Sequence, residues 1–289
     1  MPEKIGRSKP HKTLRAPVTY SGVGIHTGQE VQMRLCPAKA GQGIFFQRVD
    51  LPGKPIIPAT IEYVFDTSRS TNLALGDVRI YTVEHVLAAL RAYDIDTLCI
   101  ELNNVEPPAG NGSSDVFVSM IEEAGVQELS SKSPILSLQR PVYITEGDVH
   151  IVALPSDEYR ISYTLCYPNS TALGCQYHSL VVNQDTFKNE IAPCRTFALY
   201  EEISYLIDRG LIKGGSLDNA VVIKGDAVLS KAGLFFPNEM VRHKILDIIG
   251  DLSLIGINFT GHIISIRSGH ATNYHLAKEL YKQLSLELN

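Results

Sequence analysis

Twice along its 289 residues this chain runs through the same succession of helix, short apolar strand, loop and second helix. The first pass has a helix from about Thr82 to Tyr93 and a strand at Thr97–Leu102. A Pro/Gly/Asn/Ser loop at Pro107–Ser114 then leads to a helix ending near Ala124. The second has a helix from about Glu239 to Leu254, a strand at Gly261–Ile266, the loop Arg267-Ser268-Gly269-His270 and a helix ending near Leu286. Strand-like segments precede each pass. They are Glu30–Leu35, Ile44–Val49 and Thr71–Leu75 in the first half. In the second they are Pro141–Ile144 and Val149–Leu154 around the turn Glu146-Gly147-Asp148, then Tyr159–Cys166 and Tyr177–Val182. The pattern predicts two similar α+β halves, joined near Ser130–Pro134. Residues 1–12 read as a tail, 13–129 as the first domain and 130–289 as the second. No residue identity links the two passes; the match is one of pattern.

Composition narrows the function. Hydrophobic residues make up 44% and charged residues 20%, as in a soluble globular protein. The formal net charge of −5 disfavours a nucleic-acid-binding surface. The opening Met1–Pro10 is polar and lacks a secretory h-region, and no apolar run of membrane-spanning length occurs. The five cysteines, Cys36, Cys99, Cys166, Cys175 and Cys194, are odd in number and form no Cys-x-x-Cys. They argue against a disulfide framework and against a thiolate zinc knot, and suit a reducing cytoplasm. A metal here would use His and carboxylate ligands.

The stretch Val241–Leu252 offers such ligands. His243, Asp247 and Asp251 recur at steps of four and share one helix stripe, opposite Ile245, Ile248, Ile249 and Leu252. A solvated polar face gives the same pattern. An imidazole and a carboxylate one turn apart can also close on one cation. In the first pass, Glu84 and His85 are adjacent, about 100° apart on a helix. His85 can bind a cation while Glu84 reaches a water beside it. Taken singly, Thr82 reads as a helix cap, Glu84 as a dipole partner and His85 as a core histidine. If the two halves bring these helices together, His85, His243 and Asp247 supply three ligands and leave one position open, the composition of a catalytic zinc site. Zinc makes hydroxide available near neutral pH, and Glu84 serves as general base.

His270 stands at a strand-to-helix junction, where a surface or capping role competes with one in a cleft. Asp251 can pair with it and hold it as imidazolium. Thr196 reads as an ordinary loop threonine or as a hydrogen-bond donor to an oxyanion. The insert from Tyr200 to Lys224 carries Ile203, Leu206, Ile207, Leu211, Ile212 and Leu217. It reads as plain packing or as an apolar wall for a greasy ligand, and its sequence alone favours packing. Gly-x-Ser-x-Gly, Walker-type and His-Glu-x-x-His motifs are absent, and Gly22-x-Gly24-x3-Gly28 misses the dinucleotide spacing.

Five motifs occur together in one order. They are Ser21-Gly22-Val23-Gly24-Ile25-His26-Thr27-Gly28, Thr82-Val83-Glu84-His85, Cys194-Arg195-Thr196-Phe197, His243-Lys244-Ile245-Leu246-Asp247-x3-Asp251 and Ser268-Gly269-His270-Ala271. From about Thr13 onward the chain resembles the UDP-3-O-acyl-N-acetylglucosamine deacetylases, zinc amidases of lipid A biosynthesis in Gram-negative bacteria. The resemblance implies two similar two-layer α/β sandwiches, each with a small insert and with the active site between them. It implies zinc, or iron(II), on His85, His243 and Asp247. Glu84 matches the general base, His270 the general acid or oxyanion stabiliser, Asp251 its partner and Thr196 the oxyanion donor. Lys244, Phe197 and Arg267 match substrate contacts, and the insert near 200–224, with Ile203 and Ile212, matches the acyl passage. The implied reaction is hydrolysis of the N-acetyl group of UDP-3-O-[(3R)-3-hydroxyacyl]-N-acetylglucosamine, releasing acetate. The implied enzyme is a cytoplasmic monomer whose partner is that acylated UDP-sugar, with peripheral contact to the inner membrane left open. An amidase of another acylated sugar and a non-catalytic binding protein are the competing readings. Two positions depart from the family pattern: Arg267 replaces an expected lysine, and Gly110-Asn111-Gly112-Ser113 carries Asn111 where an aspartate is common. His26 lies in a matching motif and is assigned no role.

Overall fold

The structure, a computed structural model, describes residues 7–288. The chain begins with β1 (Arg7–Leu14), β2 (Val18–Val23), β3 (Glu30–Pro37), β4 (Ile44–Arg48) and β5 (Ile56–Pro58). A small insert follows, β6 (Val64–Asp66), β7 (Asn72–Leu75) and β8 (Val78–Ile80). Then come α1 (Glu84–Ala92), β9 (Leu98–Leu102) and α2 (Asp115–Ala124). The second half has β10 (Val126–Ser137), β11 (Val142–Glu146), β12 (Val149–Leu154), β13 (Tyr159–Tyr167), β14 (Gly174–Val181) and the single turn α3 (Gln184–Thr186). Its insert is β15 (Phe197–Leu199), α4 (Tyr200–Asp208), β16 (Val221–Lys224) and β17 (Ala227–Leu229). It closes with α5 (Glu239–Ser253), β18 (Asn258–Ile266) and α6 (His270–Leu288).

The fold is α+β. A five-stranded sheet, in the order β2-β3-β9-β4-β5, serves the first half. A seven-stranded sheet serves the second, with β18 at its centre between β12 and β13. The inserts form two separate three-stranded sheets, β6-β7-β8 and β15-β16-β17. Helices α5 and α6 cover the second sheet, and α1 packs directly on α5. Apolar side chains of α5 fill this layer. Ile245, Ile248 and Ile249 are fully buried, each worth about 1.5–3 kcal/mol. Gly250 lies where α5 meets α1. A Cβ there would overlap the carbonyl of Glu84, so glycine lets the two backbones touch.

The polar stripe of α5 is not a solvated face. His243, Asp247 and Asp251 are as buried as the isoleucines behind them, because α1 covers that side. Three other expectations need correction. Residues 7–12 are not a tail, since β1 pairs along β10 from Arg7↔Ile135 to Leu14↔Val126; residues 1–6 lie outside the described residues. The stretch 130–134 is strand, inside β10, with no break between the halves there. Cys166 and Cys175 are disulfide-bonded, facing each other across the β13–β14 pair, while Cys36, Cys99 and Cys194 are free. Cross-strand register, invisible in linear spacing, brings the two sulfurs together.

Candidate active site

The crossing of α1 and α5 juxtaposes His85, His243 and Asp247. One ligand atom from each lies within 4.8 Å of the other two, and all three residues are buried. Asp247 Oδ1 is 3.3 Å from His243 Nε2 and 4.0 Å from His85 Nε2. Ligand atoms of a tetrahedral ion bound at roughly 2.1 Å stand roughly 3.4 Å apart, so the trio fits a zinc-sized cation. The imidazole rings meet edge to face, with centroids 5.0 Å apart. His243 Nδ1 lies 3.0 Å from the carbonyl of Cys194. With the proton on Nδ1 donated to that carbonyl, the Nε2 lone pair points into the group. Burial pushes His85 down to about 3, aided by His243, and lowers His243 as well. Both rings are therefore neutral, as metal ligands must be. Burial disfavours the Asp247 anion, yet the Lys244 ammonium, with His270 also contributing, holds its carboxyl below the usual range. Lys244 Nζ donates to Asp247 Oδ2 at 2.8 Å, leaving Oδ1 toward the histidines.

Beside the trio lie two oppositely tuned groups. Glu84 is 2% exposed, and burial pushes its carboxyl up to about 8. Its Oε2 accepts the backbone N–H of Thr71 at 3.0 Å, and its Oε1 is 4.0 Å from His270 Nε2. For His270, burial opposes the charge, but the adjacent Asp251 carboxylate outweighs it and raises the imidazole to about 9. Asp251 in turn accepts from Asn273 Nδ2 at 2.8 Å. One carboxyl able to take a proton and one imidazolium able to give one thus stand side by side.

Thr82 does not cap α1. The preceding position of the helix is Val83, with no side-chain cap. Thr82 instead adopts a left-handed backbone with φ 53°. That pose is strained for a β-branched residue, by about 1–3 kcal/mol.

Two cavities meet at this centre. One, of about 390 Å³, is walled by the second insert through Ile203, Leu206, Ile207 and Ile212, and by Ile25 and His26 of the first half. The other, of about 410 Å³, is lined by Lys244, Asp247, Arg267 and His270. Glu84, His85, Thr196 and Phe197 border both. An Arg69–Glu202 ion pair of 2.7 Å crosses from the first half to α4 beside them. Thr196 is held by its backbone: its N–H donates to Gly112 at 2.8 Å, and its carbonyl accepts from Val221 at 2.9 Å. The loop containing Asn111 therefore reaches Thr196 through the Gly112 carbonyl. The Asn111 side chain turns back on Ser113. Arg267, in a left-handed pose with φ 59°, sits half exposed at the rim, 3.6 Å from Asp148.

The residues proposed from sequence thus border one centre or the cavities leading from it, except Asp251, which lines neither cavity and lies behind His270. Sequence reasoning missed Thr71, whose hydroxyl donates to Asp251 and whose N–H meets Glu84. It also missed Asn273, one helical turn beyond His270, a spacing that could have flagged it.

Residues 11–282 match the family model described as UDP-3-O-acyl N-acetylglycosamine deacetylase. The chain is 50% identical over 276 residues to the UDP-3-O-acyl-N-acetylglucosamine deacetylase of Chlamydia pneumoniae, covering 95% of this chain and 98% of that one. It is 50% identical over 273 residues to the protein of that name in Chlamydia caviae (94% and 97% covered). It is 45% identical over 283 residues to that of Chlamydia trachomatis serovar L2 (98% of each). With the match running nearly end to end, the chain belongs to the UDP-3-O-acyl N-acetylglycosamine deacetylase family.

Proposed function

We propose that this protein hydrolyses the N-acetyl amide of UDP-3-O-(3-hydroxyacyl)-N-acetylglucosamine, releasing acetate and the free amine, as a step of lipid A biosynthesis. The observation that carries the reading is the position of Glu84 and His270. They face each other beside the His85–His243–Asp247 group, where an apolar cavity joins a polar one. Zinc held by that group, or iron(II) in its place, supplies Lewis acidity to the amide carbonyl and to a water.

The residues of the chain carry the remaining steps. Glu84 accepts a proton as water adds to the carbonyl carbon. Its raised affinity for that proton makes it an effective base once ionised. The His270 imidazolium and the Thr196 hydroxyl stabilise the oxyanion that forms. The C–N bond then breaks, acetate departs, and the amine takes the proton it needs from His270. Asp251, with Thr71 and Asn273 on its other contacts, holds that imidazole in place. The acyl chain lies in the cavity walled by Ile203 and Ile212. Phe197 borders both cavities, and Lys244 and Arg267 face the polar end, where the diphosphate of the substrate requires positive charge.

Acetate release from the acylated UDP-sugar, compared with the same sugar lacking the 3-O-acyl chain, tests the reading. Faster release from the acylated sugar supports it. Equal rates favour an amidase of broader substrate range, and no release from either removes the assignment.

A further inference from the structure

One carboxyl group joins the wall of the apolar cavity to the start of α1. Glu106, just after β9, is 1% exposed. Its Oε1 accepts the N–H of His26 and the hydroxyl of Thr82, each at 3.0 Å. Its Oε2 accepts the N–H of Thr27 at 2.9 Å and the Thr27 hydroxyl at 2.8 Å. Four donors converge on two oxygens, an arrangement that uses the acceptor capacity of a carboxylate and that an amide cannot reproduce. The mechanism above makes no use of this residue.

On one side Glu106 organises the loop from Gly24 to Gly28. A Cβ on Gly24 would overlap Glu106 Oε2, so the glycine makes room for the carboxylate. The loop's carbonyls then receive the second insert. Ile25 accepts the N–H of Gly214 at 3.1 Å, and His26 accepts that of Lys213 at 3.2 Å. Ile25 and His26 line the apolar cavity together with Ile212. The glycine motif, which fits no dinucleotide site, supplies part of the cavity wall and the seat of the insert.

On the other side Glu106 holds Thr82. The left-handed backbone of Thr82 is fixed by two contacts, its N–H to Asn72 Oδ1 at 3.0 Å and its hydroxyl to Glu106. Only Val83 separates it from Glu84 and His85. The pose of Thr82 therefore sets where those two side chains begin.

We propose that Glu106 is a positioning residue that registers the acyl wall against Glu84 and His85, so that a chain in the apolar cavity raises turnover as well as binding. The inference rests on the acylated-substrate reading above. A chain packed on Ile25 steadies the loop, the carboxylate and Thr82 together. Binding energy gained far from the amide is then expressed at the reacting centre.

The test measures kcat and KM of the metal-loaded enzyme for the UDP-sugar with and without its 3-O-acyl chain. Glu106→Gln turns an amide NH2 toward groups that donate. Thr82→Val keeps the shape and removes the donor, and Thr82→Ser keeps the donor. The ratio of the two kcat values should exceed one in the wild type and fall about fivefold or more in Glu106→Gln and Thr82→Val, while Thr82→Ser retains it. A loss of folded enzyme lowers both kcat values together and leaves their ratio alone. Should Glu106→Gln not fold, Thr82→Val decides. A smaller fall in the ratio overturns the inference, as does an equal fall in Thr82→Ser or a wild-type kcat indifferent to the chain. A wild type that releases acetate from neither sugar removes the underlying reaction instead.

Discussion

His270 Nδ1 lies 2.9 Å from Asp251 Oδ2, with both side chains largely buried. The carboxylate raises the imidazole to about 9 against the opposing effect of burial. If His270 acts as the imidazolium, kcat/KM falls as pH rises through about 9, with Glu84 governing the acid side. Asp251→Asn removes the strongest charge that raises His270 and leaves burial, which lowers it, against the smaller effects of Asp247 and Glu84. Its alkaline limb should move down from about 9 toward the ordinary value of 6.5. The same shift is a stability statement. A folded pKa above the unfolded one contributes stability in full below about 6.5 and loses it as pH rises through about 9. Urea denaturation of wild type and Asp251→Asn across that window checks the sign. An unmoved limb in the variant contradicts the assignment.

Glu84→Gln keeps the side-chain volume and removes the proton acceptor. Turnover should drop by about 10²–10⁴-fold while bound metal stays at the wild-type level. Metal analysis and initial rates on the same preparation check both halves of the statement. Wild-type turnover in purified Glu84→Gln would assign the base elsewhere.

Asp247→Ala removes a candidate ligand and the partner of Lys244 at once. The protein should lose its metal and its activity. It should also lose about 3 kcal/mol of stability, the low end for a broken buried pair, because the Lys244 side chain keeps 20% of its exposure. Equilibrium unfolding of the metal-stripped proteins isolates the second effect.

Much of this centre could be read in the linear chain, for a physical reason. Side chains on one face of a helix obey the helix period, so His243, Asp247 and Asp251 announce one another at steps of four, and His85 follows Glu84 directly. The pairing of two α+β halves was legible for the same cause, since strand and helix leave different hydrophobic spacings. What stayed hidden depends on packing between distant segments. Burial of the α5 polar stripe follows from α1 lying across it. The role of Thr71 depends on where its loop sits against α5, and that of Glu106 on four donors from two other loops. Strand β10 carries Ser130–Pro134, whose polar composition mimics a linker although β1 pairs with part of it.

Replacing Ile203 with phenylalanine should shorten the preferred acyl chain, because the side chain projects into the apolar cavity. Each methylene displaced from an apolar channel costs about 1–3 kcal/mol in discrimination. Competition between substrates of different chain length reads the shift, with Ile212→Phe as a second position. Unchanged selectivity in both would mean the insert packs without measuring the chain.

Gly250→Ala tests the helix crossing. The added methyl meets the Glu84 carbonyl, so α1 must move off α5. A displacement near 1 Å at the reacting groups can lower turnover by about 10²-fold. The variant should fold, with its loss mainly in kcat. Full turnover would mean that the crossing tolerates a wider spacing.

The most direct test of the whole account is one experiment on the purified protein: metal content by elemental analysis alongside acetate released from the acylated UDP-sugar. The expected result is about one zinc or iron(II) per chain, release of acetate that stops on chelation, and its return when metal is restored. A folded, metal-free protein that takes up neither ion, or a metal-loaded one that releases no acetate, would contradict it.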